Sequence, residues 1–293
     1  MNAALQPFER IDLHMHSSWS DGVLRPAELV ALAATRSVQL LALTDHDTLA
    51  GCEEARQACA EAQIAFLYAS ELTSLWKGRE VHIVGLQLDP AAPALIAHLE
   101  AVRQSRRERI QGIGLKLSAH GLPGTEIAAA VLALPGTPTR LHVARELVQR
   151  GHAEDEDDAF KRWIGKGQPA AVAAAWPAIE ASAAAISSAG GLAILAHPHR
   201  YKLSAGGLRE LCAAFRDAGG AGIEVSLPGM GPADAGRAAA LARRFDLAGS
   251  CGSDFHVPGV PWRPLGRFAK LPEGVVPITE RLGLEPVRGA LPA

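Results

Sequence analysis

The sequence predicts an α/β fold, a mostly parallel sheet wrapped by helices and interrupted by a helical insertion. Short β-rich runs alternate with amphipathic helical stretches through the first hundred residues, and the alternation resumes near residue 190. Between about residues 93 and 176, helical periodicities punctuated by Gly and Pro replace it, with almost no β-branched runs. The chain has 293 residues, 48% of them hydrophobic, enough for a large buried core, and strand-helix barrels of about 250 residues form single units. The expected organisation is therefore a first barrel part over 1–92, a helical insertion over 93–176, and a second barrel part with a C-terminal tail over 177–293.

Each element has its own warrant. Residues 10–14 read as a strand. Pro26 opens a helix running to about Ser37, because the first helical N–H has no partner to lose. The continuous apolar run at 39–44 suits a strand covered on both faces. A helix over 48–62 follows, then strands at 65–69 and 80–86. In the insertion, Arg103, Arg106, Arg107 and Arg109 form a basic face that reads as a solvated helix surface. Strands at 191–196, 222–226 and 247–252 then alternate with helices at 207–218 and 232–245. The Pro- and Gly-rich tail from Pro272 carries no candidate chemistry and reads as edge packing or loosely held chain.

Composition narrows the function. With 29 basic and 31 acidic residues the net charge is −2, so no global positive field gathers nucleic acid or anionic lipid, and an anionic substrate must be captured locally. Cys52, Cys59, Cys212 and Cys251 are scattered, form no CxxC pair, and read as reduced buried thiols of a cytoplasmic protein. The N-terminal residues lack signal-peptide features, and the longest uncharged stretch, 181–196, is too short and weakly apolar to span a bilayer. No membrane association and no obligatory protein partner are expected.

The chemistry lies in the histidines. Seven of the eleven fall at or beside predicted strand ends with acidic or polar neighbours. One such histidine is commonly a core residue; a whole set points to metal. In an extended chain alternate residues face the same way, so His14 and His16 present two imidazoles to one side. Asp12 shares their parity and could orient a ring, while Asp21 offers a loop carboxylate. After the apolar strand come His46, a ligand candidate, Asp45, its expected orienting partner, and Asp47-Thr48, which read as a helix N-cap. Glu71 is placed at the end of the next strand as the best candidate for a carboxylate bridging two cations, and His82 follows. His197, with His199 beside it, ends a further apolar run, and Asp254 and His256 share a strand-end parity. Histidine and carboxylate ligands without cysteine fit zinc, manganese or iron(II).

Taken in order, HMHSSWSDG, TDHDT, Glu71, VHIVG, AHP and GSDFH closely resemble the PHP superfamily of polymerase-associated and histidinol-phosphatase-like metallophosphoesterases. The resemblance implies a distorted (β/α)7 barrel with two or three divalent metal ions, manganese first among them, at the C-terminal ends of the strands. It places His14, His16, Glu71 and Asp254 on one metal, Glu71, His82 and His197 on a second, and Asp21, His46 and His256 on a third. Many relatives have histidine where this chain has Asp21. The segments ELTSLWKGREVHIVGL, TPTRLHVARELV and HPHRYKLS look most like the nucleoside 3',5'-bisphosphate phosphatase and 5'-to-3' oligoribonuclease branch.

Arg140, Arg200 and Lys202 are the cations expected to bind substrate phosphate, since an arginine fork matches phosphate oxygens. Lys166, in a Gly-Lys-Gly turn, reads as an exposed lysine. His199 is nominated to protonate the leaving oxygen or hold the phosphate. The implied reaction removes the 3'-phosphate of a small nucleotide such as pAp by metal-activated water, with short single-stranded oligonucleotides as further substrates. The alternatives are a histidinol-phosphate phosphatase using the same centre, or a catalytically silent PHP module.

Overall fold

The computed structural model describes residues 10–260 and 264–284. Alternation along the strands sorts side chains into an inner and an outer set. Leu40, Ala42, Leu67, Ala69, Val84, Leu86, Ile194 and Ala248 form one buried cluster with Leu13 and Ala196, while intervening residues such as Leu41 and Leu195 join clusters beneath the helices. The strands are β1 (Ile11–Asp12), β2 (Leu40–Leu43), β3 (Ala65–Trp76), β4 (Arg79–Leu86), β5 (Leu192–Leu195), β6 (Gly222–Ser226) and β7 (Ala248–Cys251), and they pair in sequence order. All pairs are parallel except those of β4, which runs against both β3 and β5.

The ends of this sheet meet. Leu13 N donates to Cys251 O at 3.3 Å, Asp254 N to His14 O at 2.8 Å and His16 N to Phe255 O at 2.9 Å, so the sheet is a nearly closed, distorted seven-stranded barrel. Asp12, expected to orient a ring, serves this seam instead. Its two oxygens accept from the backbone N–H groups of Ser253 and Gly266, both at 2.8 Å. Gly252 permits the approach, since a Cβ there would lie 2.4 Å from the His14 Cβ.

Helices α1 (Pro26–Thr35) and α2 (Cys52–Glu61) cover β2. The insertion contains α3 (Pro93–Ala119), α4 (Gly124–Ala133), α5 (Arg140–Gln149), α6 (Glu156–Ala159) and a π-helical turn, Phe160–Ile164, gathered on an apolar cluster of their own from Ile110 to Ala170. Helices α7 (Ile179–Ser188), α8 (Ala205–Asp217) and α9 (Pro232–Arg244) precede β5, β6 and β7. Residues 285–293 of the tail lie outside the described residues, but its earlier part is firmly built in. Pro277 bridges to Gly249, and Ile278 of α10 (Ile278–Arg281) and Leu282 enter the inner barrel cluster.

Two expectations are corrected. The strand predicted to stop at residue 69 continues to Trp76, turns at Lys77-Gly78, both at positive φ, and returns as β4. Its polar residues disguise it, yet Ser70, Thr73 and Ser74 are buried and hydrogen-bonded. Glu71 therefore sits mid-strand rather than at a strand end. The helix predicted from residue 48 starts at Cys52, because Asp47 has φ +50° and accepts from Thr73 and Arg106 instead of capping a helix.

Substituting Gly252→Ala should force the β1–β7 seam apart. Overpacking of this kind costs about 1–3 kcal/mol; urea denaturation should report a loss of that size.

Candidate metal centre

The inner row that carries Leu67 and Ala69 continues along β3 to Glu71, and the row of Val84 and Leu86 leads back to His82. Glu71 is 1% exposed and lies at the middle of a ring of imidazoles. Its Oε2 faces His46 Nδ1 at 3.1 Å, His16 Nε2 at 3.3 Å and His14 Nε2 at 3.4 Å. Its Oε1 faces His197 Nε2 at 2.9 Å and His82 Nδ1 at 3.0 Å. Asp254 Oδ1 stands 3.3 Å from His16 and 3.5 Å from His14. Asp21 lies across the mouth, 3.3 Å from His256 Nε2, 3.6 Å from His46 Nε2 and 3.8 Å from His16 Nδ1.

All nine residues singled out as ligands thus converge. Ligand atoms of His14, His16 and Glu71, of His46, Glu71 and His82, and of His16, Asp21, His46 and His256 lie within 4.8 Å of one another inside each group. The grouping differs in detail from that implied by resemblance: His46 also belongs with Glu71 and His82, and His16 also belongs with Asp21. The donors fit divalent cations. His14 Nε2 and His16 Nε2 point at each other across 3.2 Å, and buried Asp21 Oδ1 and His46 Nδ1 find no hydrogen bond. Nitrogen and oxygen donors without thiolate suit manganese, zinc or iron(II).

Electrostatics follow from this crowding. Burial pushes the Glu71 carboxyl up, but His14, His82 and His46 outweigh it and hold it well below its ordinary range. Burial also opposes charge on His16 and His82; Asp254 and Glu71 for the first, Glu71 and Glu80 for the second, override it and raise both to about 10. At His46 burial wins and lowers the ring to about 3.

Around these residues lies a supporting layer that sequence reasoning largely missed. Asp45, expected to orient His46, accepts instead from Ser17 N at 2.7 Å and from the hydroxyls of Ser17 at 2.5 Å and Ser20 at 2.6 Å, fixing the loop that follows His16. Arg106, expected on a solvated face, is 7% exposed and donates to Asp47 and to Thr73 Oγ1, at 2.7 and 2.6 Å. Arg109, from the same face, donates to Glu80 Oε2 and Val172 O. Thr137 N reaches Trp19 O and Arg145 reaches Asp21 O, at 2.8 and 2.9 Å, so the insertion grips the Asp21 loop. Glu224, on β6, accepts from His14 Nδ1 at 2.7 Å and from the backbone N–H of His197. The available signal was a lone acid within the strand GIEVS, where a buried charge needs a partner.

The expected phosphate cations part ways. Arg200 donates to Asp254 at the rim of the centre. Arg140 opens α5 with its guanidinium 3.6 Å from Glu80 Oε1, beside His82. Lys202 is exposed at φ +48° and, among the described residues, makes no ion pair with the cluster, so the structure does not bring it to the centre. His199 is half-buried with Nδ1 unpartnered, and burial, Arg200 and His197 lower its pKa.

Comparison with known proteins agrees with this geometry. Residues 12–120 match the PHP domain. A 5'-3' exoribonuclease of Haemophilus influenzae is 42% identical over 273 residues, covering 93% of this chain and 99% of that protein. The chain belongs to the PHP family. A 3',5'-nucleoside bisphosphate phosphatase of Chromobacterium violaceum is 42% identical over 217 residues, covering 74% of this chain and 76% of that one. Among solved structures, an amidohydrolase from Chromobacterium violaceum, with bound sulfate and no metal, superposes on the PHP barrel and its insertion with a TM-score of 0.87 at 38% identity, covering 95% of this chain and 99% of that one.

Two outcomes follow for this PHP barrel. Arg106→Ala leaves Asp47 buried without its cation, and removing one partner of a buried pair costs about 3–5 kcal/mol; thermal unfolding should fall accordingly. Protons held on His16 and His82 must leave before their nitrogens accept a cation, so cation affinity should rise with pH, with proton release measurable by calorimetry in buffers of different ionisation enthalpy.

Proposed function

We propose that the chain is a metal-dependent phosphoesterase that removes the 3'-phosphate of nucleoside 3',5'-bisphosphates, converting pAp to AMP and phosphate, and that acts on short 5'-phosphorylated oligonucleotides. The observation that carries this is the gathering of eight histidine and aspartate side chains around one buried glutamate, Glu71, at the mouth of a PHP barrel. The names of the two relatives at 42% identity supply the substrate class.

His14, His16, Asp21, His46, Glu71, His82, His197, Asp254 and His256 would hold two or three divalent ions, manganese first, with Glu71 common to two of the candidate groups. Such ions lower the pKa of water, neutralise phosphoryl oxygens and stabilise a leaving alkoxide. Arg200, paired with Asp254 at the rim, is assigned to the phosphate being cleaved, and Arg140 to the remoter phosphate. Lys202 contributes long-range attraction from its exposed position. His199 holds a phosphoryl oxygen or protonates the leaving group; its lowered pKa favours a neutral ring that donates one hydrogen bond, which suits the first role. The insertion, which Arg106, Thr137 and Arg145 tie to the segments carrying His46, Glu71 and Asp21, would cover the active-site mouth and hold the nucleotide. Four buried free cysteines are consistent with a reducing, cytoplasmic setting. No helix among the described residues is long and apolar enough to cross a membrane.

The test is phosphate release from pAp, histidinol phosphate and a 5'-phosphorylated oligoribonucleotide by metal-stripped protein, before and after reconstitution with manganese or zinc. Metal-dependent turnover of pAp is expected. Preference for histidinol phosphate would overturn the substrate, and inactivity on all three would overturn the enzyme. His14→Ala and Asp254→Ala should each lower turnover at least roughly a hundredfold, equivalent to about 3 kcal/mol of lost charge stabilisation.

A further inference from the structure

We propose that Glu224 is a positioning residue that sets two ligands in different parts of the centre at once, His14 through its ring and His197 through its backbone. The inference rests on the reading above that both histidines hold cations. Glu224 lies on β6 between β5 and β7, 1% exposed, opposite Ser250. Its Oε1 accepts from His14 Nδ1 at 2.7 Å, which leaves Nε2, facing Glu71 Oε2 at 3.4 Å and Asp254 Oδ1 at 3.5 Å, as the nitrogen that would bind a cation once its proton has left. A carboxylate behind a metal-binding imidazole fixes its tautomer and orientation and increases its basicity.

The other oxygen of Glu224 accepts from the backbone N–H of His197. That residue has φ +28°, a conformation L-residues avoid and one that persists only where neighbours hold it. From that backbone the His197 ring reaches Glu71 Oε1 at 2.9 Å. Both oxygens of Glu224 are therefore engaged by protein donors, and among the described residues Glu224 enters none of the groups able to hold an ion. Its place is behind the ligands. Glu71 also pairs with both histidines, but it is itself a candidate ligand.

Glu224→Gln keeps the shape but has only one accepting atom, so either His14 or His197 loses its hold. The experiment titrates zinc, against a competing chelator, into metal-stripped wild-type and Glu224→Gln proteins, with thermal melting of the metal-free forms to verify folding. Loss of an orienting partner typically weakens metal affinity about 10–100-fold, and that shift is expected in a variant that still melts cooperatively. Zinc affinity within about threefold of wild type in the folded variant would overturn the assignment. Two-bond nitrogen–proton correlation spectra of the zinc-loaded wild-type protein give a second readout that needs no variant. His14 protonated at Nδ1 is expected, and His14 protonated at Nε2 overturns the proposal even if Glu224→Gln fails to fold. Wild-type protein that takes up no zinc would instead overturn the metal reading itself.

Discussion

The structure depends on keeping the Glu71 carboxylate buried and charged. Removing such a group from water costs several kcal/mol unless opposite charge and hydrogen bonds compensate. Here five imidazoles, from His14, His16, His46, His82 and His197, stand around its two oxygens. Those histidines come from the segment after β1, the β2–α2 loop, β4 and the turn after β5, so the carboxylate is satisfied only when the barrel is assembled. The β3–β4 hairpin is the device that makes this possible. By running antiparallel, β4 brings His82 to the same end of the barrel as the histidines that follow parallel strands.

A second constraint comes from the insertion. Arg106, buried on α3, ties Asp47 and Thr73 together, and Asp47 is the neighbour of His46 while Thr73 lies two residues beyond Glu71. Arg145 and Thr137 tie α5 and the turn before it to the Asp21 loop. The insertion therefore does more than cover the mouth of the barrel. It holds the segments that present His46, Glu71 and Asp21, so the helices between β4 and β5 help to fix the ligand geometry.

The HxH pair, the Asp and His after each apolar run and the late Asp-Phe-His were legible because their position just past an apolar run can be read from spacing alone, although Asp254, at φ +48°, lies beyond β7 and does not follow strand parity. The helical insertion and the return of strands near residue 190 were equally plain, since the hydrophobic period changes. What escaped had polarity that spacing could not place. Ser70, Thr73 and Ser74 read as loop because their burial depends on partners distant in sequence. Arg106 and Arg109 read as solvent-facing because a basic helix face usually is. Asp12 and Asp45 were expected to orient imidazoles and Asp47 to cap a helix; instead they hold backbone, hydroxyl and guanidinium groups respectively. Glu224 carried the clearest missed signal, an acid amid an apolar strand.

The most direct test of this account is a crystal structure of manganese-loaded protein with anomalous scattering to locate the ions. Manganese is expected on both sides of the Glu71 carboxylate, about 3.5–4 Å apart as in two-metal sites, with His14 and His16 on one side and His82 and His197 on the other. Manganese absent from the barrel mouth, or bound there without contact to Glu71, would contradict it.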